Sequence, residues 1–132
     1  MSYLIGIILA LAVCVLALFI GLSRDRAFYP TMLIVIASYY VLFAVMAGSR
    51  RALLLESLLM CVFAAIAVAG FTKSLWLVVA GLAAHGVFDF FHGSLHVTSS
   101  VPAWWPAFCL TFDVTAAVFL ALLLKRRRLA SR

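Results

Sequence analysis

Five long apolar runs separated by short polar breaks constrain this chain more than any other feature. A helix needs about 20 mostly apolar residues to cross a hydrocarbon core about 30 Å thick. The runs 3–22, 30–47, 52–71, 75–96 and 104–124 meet or approach that length. The first is ended by Ser23, Arg24, Asp25 and Arg26, the second by Gly48, Ser49, Arg50 and Arg51, and the third by Thr72, Lys73 and Ser74. Lys125, Arg126, Arg127 and Arg128 close the last. Pro30 falls in the first turn of its run, where a missing N–H costs nothing. The longest connection, 97–106, holds Pro102, Trp104, Trp105 and Pro106. Prolines stop a helix and tryptophans favour the membrane interface. The pattern predicts an all-α, polytopic membrane helix bundle of five transmembrane helices in one domain, 1–132. Short loops predict that successive helices are antiparallel neighbours.

Composition excludes the soluble alternative. Hydrophobic residues make up 68% of the 132 and charged residues 11%, against about 25% charged in an ordinary soluble domain. A soluble domain this small has too much surface to hide so much apolar chain. The net charge of +6 sits in short clusters between the runs. Such clusters act as orientation signals and as contacts to anionic headgroups. No basic stripe interleaved with aromatics is present, so no nucleic-acid partner is expected. With the N-terminus outside, Arg24, Arg26, Lys73, Lys125, Arg126, Arg127, Arg128 and Arg132 fall on the cytoplasmic side, leaving only Arg50 and Arg51 outside. The positive-inside rule therefore predicts N-out, C-in. No Lys or Arg precedes the first run, so it reads as a retained helix rather than a cleaved signal. Cys14, Cys61 and Cys109 each lie within an apolar run and form no Cys-x-x-Cys pair. Free cysteines of this kind pack as small hydrophobes.

Six ionisable residues lie at membrane depth: Glu56, His85, Asp89, His92, His96 and Asp113. Each costs about 2.5–3.5 kcal/mol on insertion scales, so such groups face the protein interior and usually serve a function. The fourth run reads His85-Gly86-Val87-Phe88-Asp89-Phe90-Phe91-His92-Gly93-Ser94-Leu95-His96. Its polar residues recur at spacings of 4, 3 and 4, which places them within about 60° of one another on one helical stripe. His85 and His96 are about 16 Å apart along the axis. One metal ion cannot hold both, whereas adjacent pairs can each share one. Counting residues puts Glu56 near the level of His92, and Asp113 near that of Asp89 and His85. Three helices then converge on a polar pocket in the outer half of the bilayer.

Neighbouring features bear on that pocket. Cys109 and Asp113 are four residues apart and share a face; packing is the ordinary role of such a cysteine, and soft ligation the alternative. Tyr39 and Tyr40 lie mid-span, and a buried hydroxyl needs a partner, so one of them is expected to face the cluster. Ala80, Gly81, Ala83, Ala84 and Gly86 give the fourth helix a small surface suited to close packing and a central position.

The stretch from His85 to Gly93, followed by Val101-Pro102-Ala103-Trp104-Trp105-Pro106-Ala107-Phe108-Cys109 and Asp113, resembles a family of small bacterial integral membrane proteins of unknown function. Phe28-Tyr29-Pro30-Thr31 and Ala37-Ser38-Tyr39-Tyr40 fit the same resemblance, which covers most of the chain. It implies a multi-pass protein of the bacterial inner (cytoplasmic) membrane and carries no activity with it. In its chemistry alone the chain is also similar to membrane hydrolases that hold zinc through histidines and an aspartate, though it lacks their helix number and motif order.

These residues point first to a metal-dependent membrane enzyme acting on a lipid or other hydrophobic substrate. His85, Asp89, His92 and His96 are the expected ligands of a divalent metal, Zn or Fe. Glu56 or Asp113 would serve as general base beside a metal-activated water. The alternatives are a proton or divalent-metal carrier or channel, or an accessory subunit whose cluster only locks helices together. The lipid bilayer is the expected partner of such a chain, and a bundle this small could also form a homo-oligomer.

Overall fold

Among its described residues, the computed structural model has five helices in the order α1 (Ser2–Ile20), α2 (Phe28–Ala47), α3 (Arg50–Thr72), α4 (Trp76–His92) and α5 (Trp105–Lys125). It describes residues 2–21, 27–48, 50–92 and 104–126, with only the backbone described at Ser2, Ala47, Asp89, His92 and Pro106. The expected runs match the helices to within two residues at each described end. The exception is the fourth run, whose positions 93–96, including His96, lie outside the described residues.

Local chemistry explains the boundaries. Gly21 and Gly48 follow α1 and α2 with φ of 84° and 70°, the left-handed conformation that only glycine adopts without steric cost. The Gly48 N–H closes α2 by bonding the Val45 carbonyl at 3.1 Å. Between α3 and α4, the Trp76 N–H donates to Ser74 Oγ at 3.3 Å, satisfying one of the first-turn donors that a helix leaves open. Pro106 sits in the first turn of α5, where no intrahelical N–H is required of it.

Among the described residues, four helices, α1, α2, α3 and α5, are long and apolar enough to cross a membrane. The described length of α4 is 17 residues, about 25 Å at 1.5 Å per residue. Apolar side chains cover the outside of the bundle: Phe19 is 86% exposed and Leu54 69%. Hydrocarbon tolerates such a surface and water does not.

Packing departs from the expectation drawn from loop length. α1 packs chiefly on α5 rather than on its sequence neighbour α2, whereas α2 packs on α3 and α4 on both α3 and α5. The reason is steric. Gly6 lies so close to α5 that a Cβ there would overlap the Thr111 hydroxyl and the Phe108 carbonyl. Small residues permit this approach, and in lipid close packing is what drives helices together. α4 lies against three helices, α2, α3 and α5, as its small-residue surface suggests. The apolar core includes Cys14, Tyr29, Leu33, Phe63, Leu75, Val78, Leu82, Ala116 and Leu120. It fills the half of the bundle where α1, α3 and α5 end.

Candidate functional site

Leu75, just before α4, and Val78, Leu82 and His85 within it are buried, residues three, four and three apart that trace one stripe. The first three are aliphatic core residues. The fourth brings an imidazole against α5, where Asp113 occupies the facing position. His85 Nδ1 and Asp113 Oδ2 are 2.7 Å apart, with the side chains 1% and 0% exposed. An ionised carboxylate only accepts hydrogen bonds, so with Asp113 ionised Nδ1 carries the hydrogen and Nε2 the lone pair. This arrangement sets the tautomer and orientation of a histidine that acts as base or ligand through Nε2.

Gly86 makes the approach possible. A Cβ at residue 86 would lie 3.2 Å from Asp113 Cβ, from the Leu110 carbonyl oxygen and from Val114 Cγ2. The glycine beside the histidine therefore lets the helix carrying its partner come near.

The imidazole lies among aromatic rings from two further helices. Phe63 of α3 meets it edge-on with centroids 4.6 Å apart. Tyr40 of α2 is at 6.3 Å and Phe88 of α4 at 6.1 Å. Because Nδ1 is turned towards α5, the opposite side of the ring faces α2 and α3. Of the two mid-span tyrosines, Tyr40 is the buried one at 2% exposure and stands beside the histidine. Tyr39 instead packs on Trp105 at 5.3 Å.

Glu56 is also buried, at 1%. It lies on the interior stripe of α3 with Ala52, Phe63, Ala67 and Gly70, two turns from the Phe63 ring that touches His85. No three of the described His, Cys, Asp and Glu side chains come close enough together to hold a metal ion. The structure thus brings His85 and Asp113 into contact and does not gather Glu56 with them into a ligand group. The side chains of Asp89 and His92, and all of His96, lie outside the described residues.

The chain's spacing did not reveal a cavity of about 630 Å³ between α1, α2 and α5. Its walls are apolar, formed by residues such as Leu9, Met32, Val35 and Phe108. Asp113 and Cys109 line it from α5, and Trp105 and Tyr39 stand together along its wall. Leu9, Val35 and Tyr39 are 43%, 47% and 38% exposed, so the cavity opens sideways, at the depth of the helices' apolar midsections. It exists because α1 leans on α5 and leaves the side of α2 uncovered. No protein-family model, curated protein or solved structure matches the chain.

Proposed function

We propose that this protein spans the bilayer with all five helices, N-terminus outside. In this reading it admits a lipid-soluble long-chain molecule sideways into the cavity between α1, α2 and α5, and acts on it through the His85–Asp113 pair. One observation carries the reading: Asp113 belongs both to the wall of the cavity and to the hydrogen bond that orients His85. The volume falls within the 300–1,000 Å³ typical of ligand pockets, and apolar walls with few polar groups are their usual make-up. A mouth at hydrocarbon depth selects for molecules already dissolved in the membrane. The chemistry on offer is proton transfer, with a carboxylate-oriented imidazole as acceptor.

The metal-dependent form of this reading assigns Nε2 of His85 to a zinc or iron ion and draws the remaining ligands from Asp89 and His92, since His96 is too far along the helix to share an ion with His85. Elemental analysis of purified wild type beside a His85→Ala/His92→Ala double variant tests it. Near-stoichiometric metal that vanishes in the still-folded variant is the expected result. Metal-free wild type after reconstitution with zinc and iron eliminates this form and leaves the pair as a metal-free acceptor.

The main reading is tested by isolating the protein in lipid nanodiscs and identifying retained long-chain molecules by mass spectrometry. Wild type should retain one class above its share of the bulk lipid, and Val35→Phe, which narrows the mouth, should reduce it. Asp113→Asn should retain a chemically different, unprocessed form. Retention at the bulk-lipid ratio in all three proteins would sink the proposal.

A further inference from the structure

The cavity between α1, α2 and α5 is walled on the α5 side by a row of rings. Trp105, Phe108 and Phe112 all line it, and each is partly exposed. Trp105 and Phe108 have centroids 5.7 Å apart and planes tilted by 41°. Phe108 and Phe112 follow at 6.1 Å and 31°, so the three form one continuous ladder along the helix. On the facing helix, Phe28 and Tyr39 add a ring at either end of the lining.

Burial of apolar surface is non-directional, so aliphatic side chains alone would hold a saturated chain equally well. Rings add something that a saturated chain does not use. Their faces are electron-rich and their edges positive, and they pair with other π systems offset or edge-on. A carbon–carbon double bond has the same electron-rich faces and positive C–H edge.

We infer that the cavity takes a linear isoprenoid chain, with its double bonds in register with the ring ladder of α5. The inference rests on the cavity reading above and adds the class of the ligand. The rings recur after three and then four residues, which is about 4.5 Å and 6 Å along the helix axis. An extended chain advances about 1.2 Å per bond, as an extended polypeptide does, so the four main-chain bonds of an isoprene unit cover about 5 Å. One double bond therefore arrives per ring. On α2 the lining runs from Phe28 to Tyr39, about 16 Å, so about three units fit within the cavity. A straight saturated chain has neither double bonds nor branches to set against the rings. Prenyl quinones and polyprenyl phosphates share the isoprenoid chain and differ only in the head.

Competitive retention in lipid nanodiscs tests this. The full-length protein is offered equal amounts of all-trans geranylgeraniol, its fully hydrogenated counterpart and hexadecanol, and retained molecules are quantified by mass spectrometry. All three have the same main-chain length, the first two share their methyl branches, and only the first has double bonds. Wild type should retain geranylgeraniol about threefold or more above its hydrogenated counterpart, the worth of an aromatic pairing. Phe108→Leu/Phe112→Leu keeps the wall apolar and removes two rings, and should bring that ratio close to one. A second competition, between a prenyl quinone and a polyprenyl phosphate of matched chain length, identifies the head. Equal retention of the unsaturated and hydrogenated chains by wild type overturns the inference without recourse to any variant, and so does a preference that survives in the folded double variant. In either case the cavity reading stands, provided that the chains are retained above the bulk-lipid ratio and lost in Val35→Phe. Failure of the cavity reading looks different: all three chains stay at the bulk ratio in wild type, and Val35→Phe changes nothing.

Discussion

Truncating both members of the His85–Asp113 pair should cost less than the two single truncations summed. The pair is 2.7 Å apart and buried, with 1% and 0% exposure. His85→Ala leaves the Asp113 carboxyl without its imidazole, and Asp113→Ala leaves Nδ1 without its acceptor. Each loses a bond and creates a void, worth about 2–4 kcal/mol together. Side-chain hydrogen bonds between membrane helices have measured couplings averaging about 0.6 kcal/mol with a maximum near 1.7. A short, fully buried bond belongs at the upper end, so the double variant should recover about 1.5 kcal/mol relative to additivity. Asp113→Asn retains an acceptor oxygen of the same shape and should lose about 1 kcal/mol or less. Reversible unfolding in mixed micelles of dodecyl sulfate and a mild detergent, followed by far-UV circular dichroism, measures all four corners of the cycle. Additivity within about 0.3 kcal/mol, the behaviour of non-interacting sites, would refute the pairing and with it the orientation of the imidazole.

Three further outcomes follow from the packing and the charge pattern. Gly86→Ala gains about 1 kcal/mol of helix propensity but must push back three atoms at 3.2 Å. Overpacking costs about 1–3 kcal/mol, so the net effect should be a loss of about 1 kcal/mol with a weakened Nδ1 bond, visible in the ¹⁵N shifts of the His85 ring; unchanged shifts would show that α5 is not held by this contact. Gly6→Ala should separate α1 from α5 and destabilise by about 1–3 kcal/mol, whereas the same change at Gly21, which meets nothing within 4 Å but has φ of 84°, acts through backbone strain alone. The unfolding assay above measures both variants, and an unchanged stability in Gly6→Ala would show that α1 does not rest on α5 at this point. Finally, the proposed N-out, C-in orientation, with Lys125 and the arginines after it on the inner side, predicts that a green fluorescent protein fused after Arg132 fluoresces and that alkaline phosphatase fused there is inactive; the opposite pair of results would reverse the orientation.

The helices were legible in the sequence because the bilayer imposes a local rule. A spanning segment must satisfy its own backbone and present an apolar surface, so each of the runs ending at Arg24, Arg50, Lys73 and Lys125 declares itself without reference to the others. The polar residues at depth were equally plain, since carboxylates and histidines stand out in such runs. Depth arithmetic along α4 and α5 even placed Asp113 near the level of His85. It could not tell which of Asp89, Glu56 and Asp113 would meet the ring, because level along an axis says nothing about direction around it.

Direction was decided by tertiary structure alone. Helices that are apolar all round carry little amphipathic signal, so nothing local distinguishes Tyr40, buried beside the imidazole, from Tyr39 on the cavity wall. Short loops predicted α1 beside α2, yet α1 sits on α5 because Gly6 fits against Thr111 and Phe108. In water, burial of an apolar face would dictate which surfaces meet. In lipid both faces are equally well solvated, and the choice passes to small residues and close fit. That choice opened the cavity and brought Asp113 and Trp105 to its wall. The sequence by itself thus determined the segments and their unusual residues, while steric fit between helices, a property of pairs of surfaces rather than of any one segment, decided the site.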